Sequence, residues 1–173
     1  ASLNGSLYCF GGSDGVTPSA DVLRLTVSGK SVKVETVASL PEGFTPAAAT
    51  PYSGKIYVHG AAGLENALYA YNPSNNAWTS LAACPSRVIS EGACLIQKHN
   101  GRENAMYLIG GRGTDETGLH IATNVWEYLP THNEWNKKAA FVSEGEPVNL
   151  MYSSAVAYGS GHILVFGGDD GVE

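Results

Sequence analysis

The stretch "MYLIGGRG" (residues 106–113) runs four apolar residues into a glycine pair and sets an arginine directly after it. Read alone, it is a buried strand ended by a tight turn, because glycine reaches φ > 0 conformations that other residues avoid. The stretch is not alone. "LYCFGGSDG" begins at Leu7, "IYVHGAAG" at Ile56 and "ILVFGGDDG" at Ile163, so the first glycines fall at Gly11, Gly60, Gly110 and Gly167. Successive intervals are 49, 50 and 57 residues. Recurrence at such a period marks an array in which each repeat is one supersecondary unit.

Composition fits an array of short strands. The chain has 173 residues, 43% hydrophobic and 15% charged, which suits a globular protein with a substantial core. Its 21 glycines show no three-residue period, which excludes collagen and indicates many turns. The net charge is −6 and no Lys/Arg cluster stands out, so nucleic acid is not an expected partner. The apolar runs are about half the length a bilayer helix needs, so membrane insertion is not expected either. The N-terminal "ASLNGS" lacks the charged and apolar regions of a signal peptide.

Cys9, Cys84 and Cys94 show no C-x-x-C spacing, and Cys9 and Cys94 alternate with apolar neighbours as small core residues do. His59 occupies the strand slot that Phe10, Ile109 and Phe166 fill in the other repeats, which reads as a core histidine. Neither a metal site nor a cofactor is expected.

Past the glycines the repeats continue. "NALYAYNPSNNAWTSLAACP" and "TNVWEYLPTHNEWNKKAAF" each place a tyrosine (Tyr71, Tyr128) before a turn rich in Asn and Pro, and a tryptophan (Trp78, Trp135) seven residues later. This predicts a hairpin with two large aromatics packed on one sheet. Alternating runs upstream of the glycines, such as "TPAAATPYSGKIYVHG", supply two further strands, giving four antiparallel strands per repeat. The first repeat, "DVLRLTVSGKSVKVETVASLP", keeps the hairpin with aliphatic residues in the aromatic places.

Four-stranded repeats of about 50 residues with a glycine pair, a Tyr and a Trp resemble the kelch motif, which implies an all-β fold, a kelch-type β-propeller. More closely, "LYAYNPSNNAWTSLAACPSR", "MYLIGGRGTDETGLHIATNVWEYLPTHNEWN" and "HILVFGGDDG" resemble the bacterial sialic acid mutarotases, or N-acetylneuraminate epimerases. The chain is similar to the branch with circularly permuted blades, because "NGSLYCFGGSDGVTPSADVLRLTVSGKSVKVE" resembles that family's usual last blade and here comes first. The resemblance implies six blades. Counting strands predicts thirteen, three over 7–38, four in each of the next two repeats and two over 152–168, which makes the propeller incomplete in this chain at about three to four blades. The expected segments are a partial blade at 1–41, complete blades at 42–83 and 84–141, and the first half of a blade at 142–173. Remaining blades of the same propeller are then the expected macromolecular partner, a sugar acid the expected ligand and the periplasm the expected compartment.

Antiparallel geometry places the loops entering the first strand and leaving the second strand of each blade on one face, around the channel. These are 13–20, 42–46, 61–66, 84–92, 112–120, 143–149 and 169–171. Mutarotation passes through the open keto form, so one group takes the proton of the anomeric hydroxyl while another protonates the ring oxygen. The substrate's carboxylate calls for a guanidinium able to donate two parallel hydrogen bonds. Arg87 and Arg112 are the arginines of those loops, and with Asp14 and Asp169 they form the expected substrate-binding set. Glu91, Asp115 and Glu116 are candidate catalytic residues, and Asp14, Asp169 and Asp170 share their chemistry. Each has a structural reading beside the functional one: a Pro-x-Arg before the first strand occurs in ordinary kelch repeats, and an Asp after a glycine pair stabilises turns. The family's catalytic Glu and Arg pair resembles a blade that would follow Glu173. The competing reading is a kelch protein-interaction module without enzymatic activity.

Overall fold

The structure is a computed structural model that describes residues 1–60, 66–86, 88–90, 92–98, 101–115 and 118–169, without the side chains at 88–90, 114–115 and 119–120. Two compact units divide it, Ala1–Leu81 and Ala82–Glu173. Among the described residues every regular element is a β-strand.

Unit 1 holds two antiparallel four-stranded sheets, each in sequence order. The first consists of β1 (Ser2–Leu3), β2 (Ser6–Phe10), β3 (Val22–Ser28) and β4 (Ser31–Thr36). The second consists of β5 (Ala48–Tyr52), β6 (Lys55–His59), β7 (Leu68–Asn72) and β8 (Ala77–Ser80). Their shared core sets Tyr8 and Val22 of the first sheet against Ile56, Val58, Tyr69 and Tyr71 of the second, with Leu40 and Phe44 of the connecting segment. Tyr8 meets Tyr71 edge-on with ring centroids 5.8 Å apart, and Phe10 meets Trp78 at the same separation.

Unit 2 begins with β9 (Val88–Ser90), β10 (Ala93–Gln97), β11 (Ala105–Ile109), β12 (Arg112–Asp115), β13 (Gly118–Ile121), β14 (Val125–Leu129) and β15 (Glu134–Lys137). Strands β10, β11, β14 and β15 make the third four-stranded sheet, while β13, β12 and β9 make a separate small one. Two hairpins follow, β16 (Val142–Ser143) with β17 (Glu146–Pro147), and β18 (Ser154–Tyr158) with β19 (His162–Phe166). Ala93, Leu95, Tyr107 and Ile109 pack with Ala155, Ile163 and Val165 of the last hairpin.

The strand count therefore exceeds thirteen. A fourth strand of the first sheet, β1, is folded back by the Asn4–Gly5 turn, both residues at positive φ as such a hairpin turn requires. The segments 84–92 and 112–120, expected as loops, carry the short sheet of β9, β12 and β13, whose strands are too brief and too glycine-rich to show an alternation.

The glycine pairs end their strands for a reason the geometry makes plain. Gly11 and Gly12 have φ of 54° and 112°, Gly110 and Gly111 of 64° and 98°, and Gly167 and Gly168 of 61° and 117°. A Cβ on Gly11 would lie 2.2 Å from the Phe44 carbonyl oxygen, and one on Gly110 would lie 2.1 Å from that of Leu150. The first two pairs turn directly beneath the segment leading into the next sheet, and Gly111 donates its N–H to the Leu150 oxygen at 2.7 Å.

Candidate functional site

Arg112 is the first residue of β12 and follows the Gly110–Gly111 turn without a spacer. Its backbone pairs with Ser90 of β9 on one side and Ile121 of β13 on the other, and its side chain is partly buried. The ladder slips between Arg112 and Gly113, whose partner is Val88. A bulge of this kind bends a strand and re-aims its side chains. The β9–β12 pairing brings the segment just after position 87 to the strand that begins with Arg112.

On the far side of the Leu150 segment stands Asp169. Its backbone makes a reciprocal bridge with Met151, N–H to carbonyl at 2.9 Å and 3.0 Å. Leu150 accepts from Gly111 while its neighbour Met151 pairs with Asp169, so one two-residue segment lies between the backbones that carry Arg112 and Asp169. Val148, Asn149, Leu150, Gly168 and Asp169 line an open cleft of about 390 Å³ there. Its lining carries the Asp169 carboxylate and the Asn149 amide, while Arg112 follows the glycine turn bonded to Leu150.

Asp14 is fixed within its own loop. Its Oδ1 accepts the N–H of Val16 at 2.9 Å and of Thr17 at 2.7 Å, and those bonds hold its carboxyl below the usual carboxylate range. It is exposed in unit 1 and shapes its own turn, the structural reading of an aspartate after a glycine pair. Arg87, Glu91, Glu116 and Asp170 lie outside the described residues, and Asp115 is placed only by its backbone, opposite Gly118 at the tip of the β12–β13 hairpin.

Sequence reasoning did not single out Glu127. This carboxylate is buried in β14, accepts the Tyr107 hydroxyl at 2.8 Å and pairs with Lys138 Nζ at 2.6 Å. A glutamate between the aromatics of "VWEYL" was the signal, since an ionised group inside a strand core must be paired. His59 is buried as its strand slot implied, and burial lowers its pKa to about 4, which leaves it neutral at pH 7. Burial pushes the Cys84 thiol up to about 11 and that of Cys94 to about 12. Cys9 is exposed, contrary to the expectation of a core residue, because β2 turns it to the uncovered side of the first sheet. Among the described residues no cluster of His, Cys, Asp and Glu could hold a metal ion.

No family model matches the chain. It is 25% identical over 172 residues to the mouse protein Kelch-like protein 35, a match spanning 97% of this chain and 26% of that relative. The solved structure of YjhT superposes with a TM-score of 0.67 at 18% identity, covering 92% of this chain and 53% of that one. The chain thus spans about a quarter of the relative and about half of the solved structure. Its fold is all-β, built from the antiparallel four-stranded blades of a kelch-type β-propeller, incomplete in this chain.

Proposed function

We propose that this chain belongs to a sialic acid mutarotase of the circularly permuted type, a periplasmic isomerase that needs no cofactor and whose six-bladed ring is completed by further blades. The observation that carries this reading is Arg112. It opens a strand fixed between two others, directly after a glycine turn pinned to Leu150, with Asp169 across the same segment. A backbone held that way limits where the guanidinium can reach, which favours a two-pronged contact with a carboxylate, and Arg87, one residue before β9, is the second candidate for the same anion. In this reading Asp115, Glu91 and Glu116 are the candidate acids to hydrogen-bond the sugar or move its proton.

The test follows the α to β interconversion of N-acetylneuraminate by one-dimensional proton NMR after sialidase releases the α anomer, using the intact protein. Acceleration is expected. Arg112→Ala should weaken substrate binding by about 1.5–3 kcal/mol, roughly ten- to a hundredfold, because a charged hydrogen-bonded partner is lost. Arg112→Lys should recover only part, since a point charge cannot reproduce a two-pronged contact. An interconversion rate equal to the spontaneous one would hand the assignment to the second reading, an interaction module. What favours that reading is the match to Kelch-like protein 35 along nearly the whole chain.

A further inference from the structure

The segments leading into β5, β10 and β18 each contain a proline followed two residues later by a different kind of side chain: Pro41–Glu42–Gly43, Pro85–Ser86–Arg87 and Pro147–Val148–Asn149. Gly43 and Asn149 are equivalent in the fold as well as in spacing. The residues after them, Phe44 and Leu150, each accept the N–H of a glycine-pair residue, Gly12 and Gly111. At Gly43 the fold leaves no room for a side chain, since a Cβ there would lie 2.7 Å from the Pro18 carbonyl oxygen. At the matching step of unit 2 the room exists. Asn149 lines the cleft of about 390 Å³, in which the other polar side chain of the lining is Asp169.

Backbone bonds on both sides fix the position of Asn149. Val148 N–H donates to the Phe141 carbonyl at 2.8 Å, Leu150 accepts from Gly111, and Met151 exchanges two bonds with Asp169. Those bonds belong to the main chain of its neighbours, so the choice of a carboxamide at 149 is open to a second role. A carboxamide donates through its NH₂, whereas an ionised carboxylate only accepts. One donor beside one acceptor complements a secondary amide, whose carbonyl needs the first and whose N–H needs the second. A hydroxyl in the same place makes no such demand, because it rotates to suit either neighbour.

We propose that Asn149 is a specificity-determining residue that reads an acylamino substituent on the sugar acid. Its NH₂ donates to the carbonyl oxygen of that substituent while Asp169 accepts the substituent's N–H. The inference rests on the mutarotase reading and adds to it which arm of the substrate meets the cleft. Leu150 and Met151 separate the backbones that carry Arg112 and Asp169, so a sugar whose carboxylate meets Arg112 extends its acylamino arm to the other flank.

The test measures KM and kcat of the intact protein, by the same proton NMR assay, for N-acetylneuraminate and for its analogue with a hydroxyl in place of the acetamido group. The parent should show the lower KM for the acetamido sugar. Asn149→Ala should shrink the ratio of the analogue's KM to that of the acetamido sugar roughly five- to tenfold, the effect of losing one hydrogen bond. Asn149→Asp, nearly the same size but with acceptors alone, should shrink it at least as far, because its oxygens would face the substituent's carbonyl. A ratio unchanged in both variants, or KM shifts equal for the two sugars, would overturn the inference and leave the mutarotase reading standing. So would a fall in kcat alike for both sugars with the ratio preserved, since that marks a structural role. A parent that accelerates neither sugar would overturn the mutarotase reading and this inference with it.

Discussion

Burial of His59 sets a pH dependence that a single residue should account for. Its pKa of about 4 lies below the value of about 6.5 for an unfolded histidine, so the unfolded chain binds the extra proton between those values. Stability is therefore fully present above pH 6.5 and is lost as pH falls toward 4. The loss attributable to this group is about 3 kcal/mol, from about 1.4 kcal/mol for each pH unit between the two pKa values. Urea unfolding of the parent at pH 7.5 and 4.5, beside His59→Phe, should show the substitution flattening that decline; an unchanged difference would mean that other groups titrate. The histidine's place was legible because its slot is apolar in the three other repeats. The exposure of Cys9 was not, since alternation reports two faces without saying which one is covered. Arg112 was legible as a residue presented by the glycine turn, whereas its bulged pairing with Ser90 depends on a strand too short to read.

At the scale of elements, the Tyr–Trp hairpins show how much of a packing motif a sequence carries. The aromatics announce themselves by their spacing, and the structure pairs Tyr71 with Trp78 and Tyr128 with Trp135, each with ring centroids 5.0 Å apart. The asparagines do not, because their partners, Ala38 and Ala82, offer only backbone atoms 38 and 51 residues away in the chain. Asn133 also sits at φ 53°, where asparagine is tolerated better than alanine. Asn133→Ala removes two hydrogen bonds and imposes backbone strain, together about 2–3 kcal/mol. Asn133→Gly relieves the strain but leaves the Tyr128 hydroxyl and Ala82 amide without their acceptor, so about 1–2 kcal/mol should remain. Thermal or urea unfolding of the two variants checks the order. A glycine variant as damaged as the alanine one would show that the hydrogen bonds carry the whole effect.

For the molecule as a whole, the phase of the repeats was legible from the glycine pairs, and the covering of each sheet follows from it. The first sheet buries Tyr8 and Val22 against the second, which leaves its other face open: register places Leu7 beside Leu25 and Val34, and Val27 beside Val32. Val27 is 69% exposed, Val32 57% and Val34 56%, in one contiguous strip of a kind that soluble monomers seldom show. The last hairpin is open in the same way, with Val156, Tyr158, Leu164 and Phe166 outward. A propeller blade is normally covered on both faces, and apolar sheet surface in water drives association. The 173-residue chain is therefore expected to self-associate with rising concentration, and Val32→Lys with Val34→Thr is expected to reduce that association without lowering the unfolding midpoint, since both side chains already face solvent. Light scattering coupled to size exclusion over a wide concentration range reads the mass directly. A parent that stays monomeric throughout would mean that the strip is too small to bind a second copy, and a variant that associates as strongly would place the contact on the last hairpin instead.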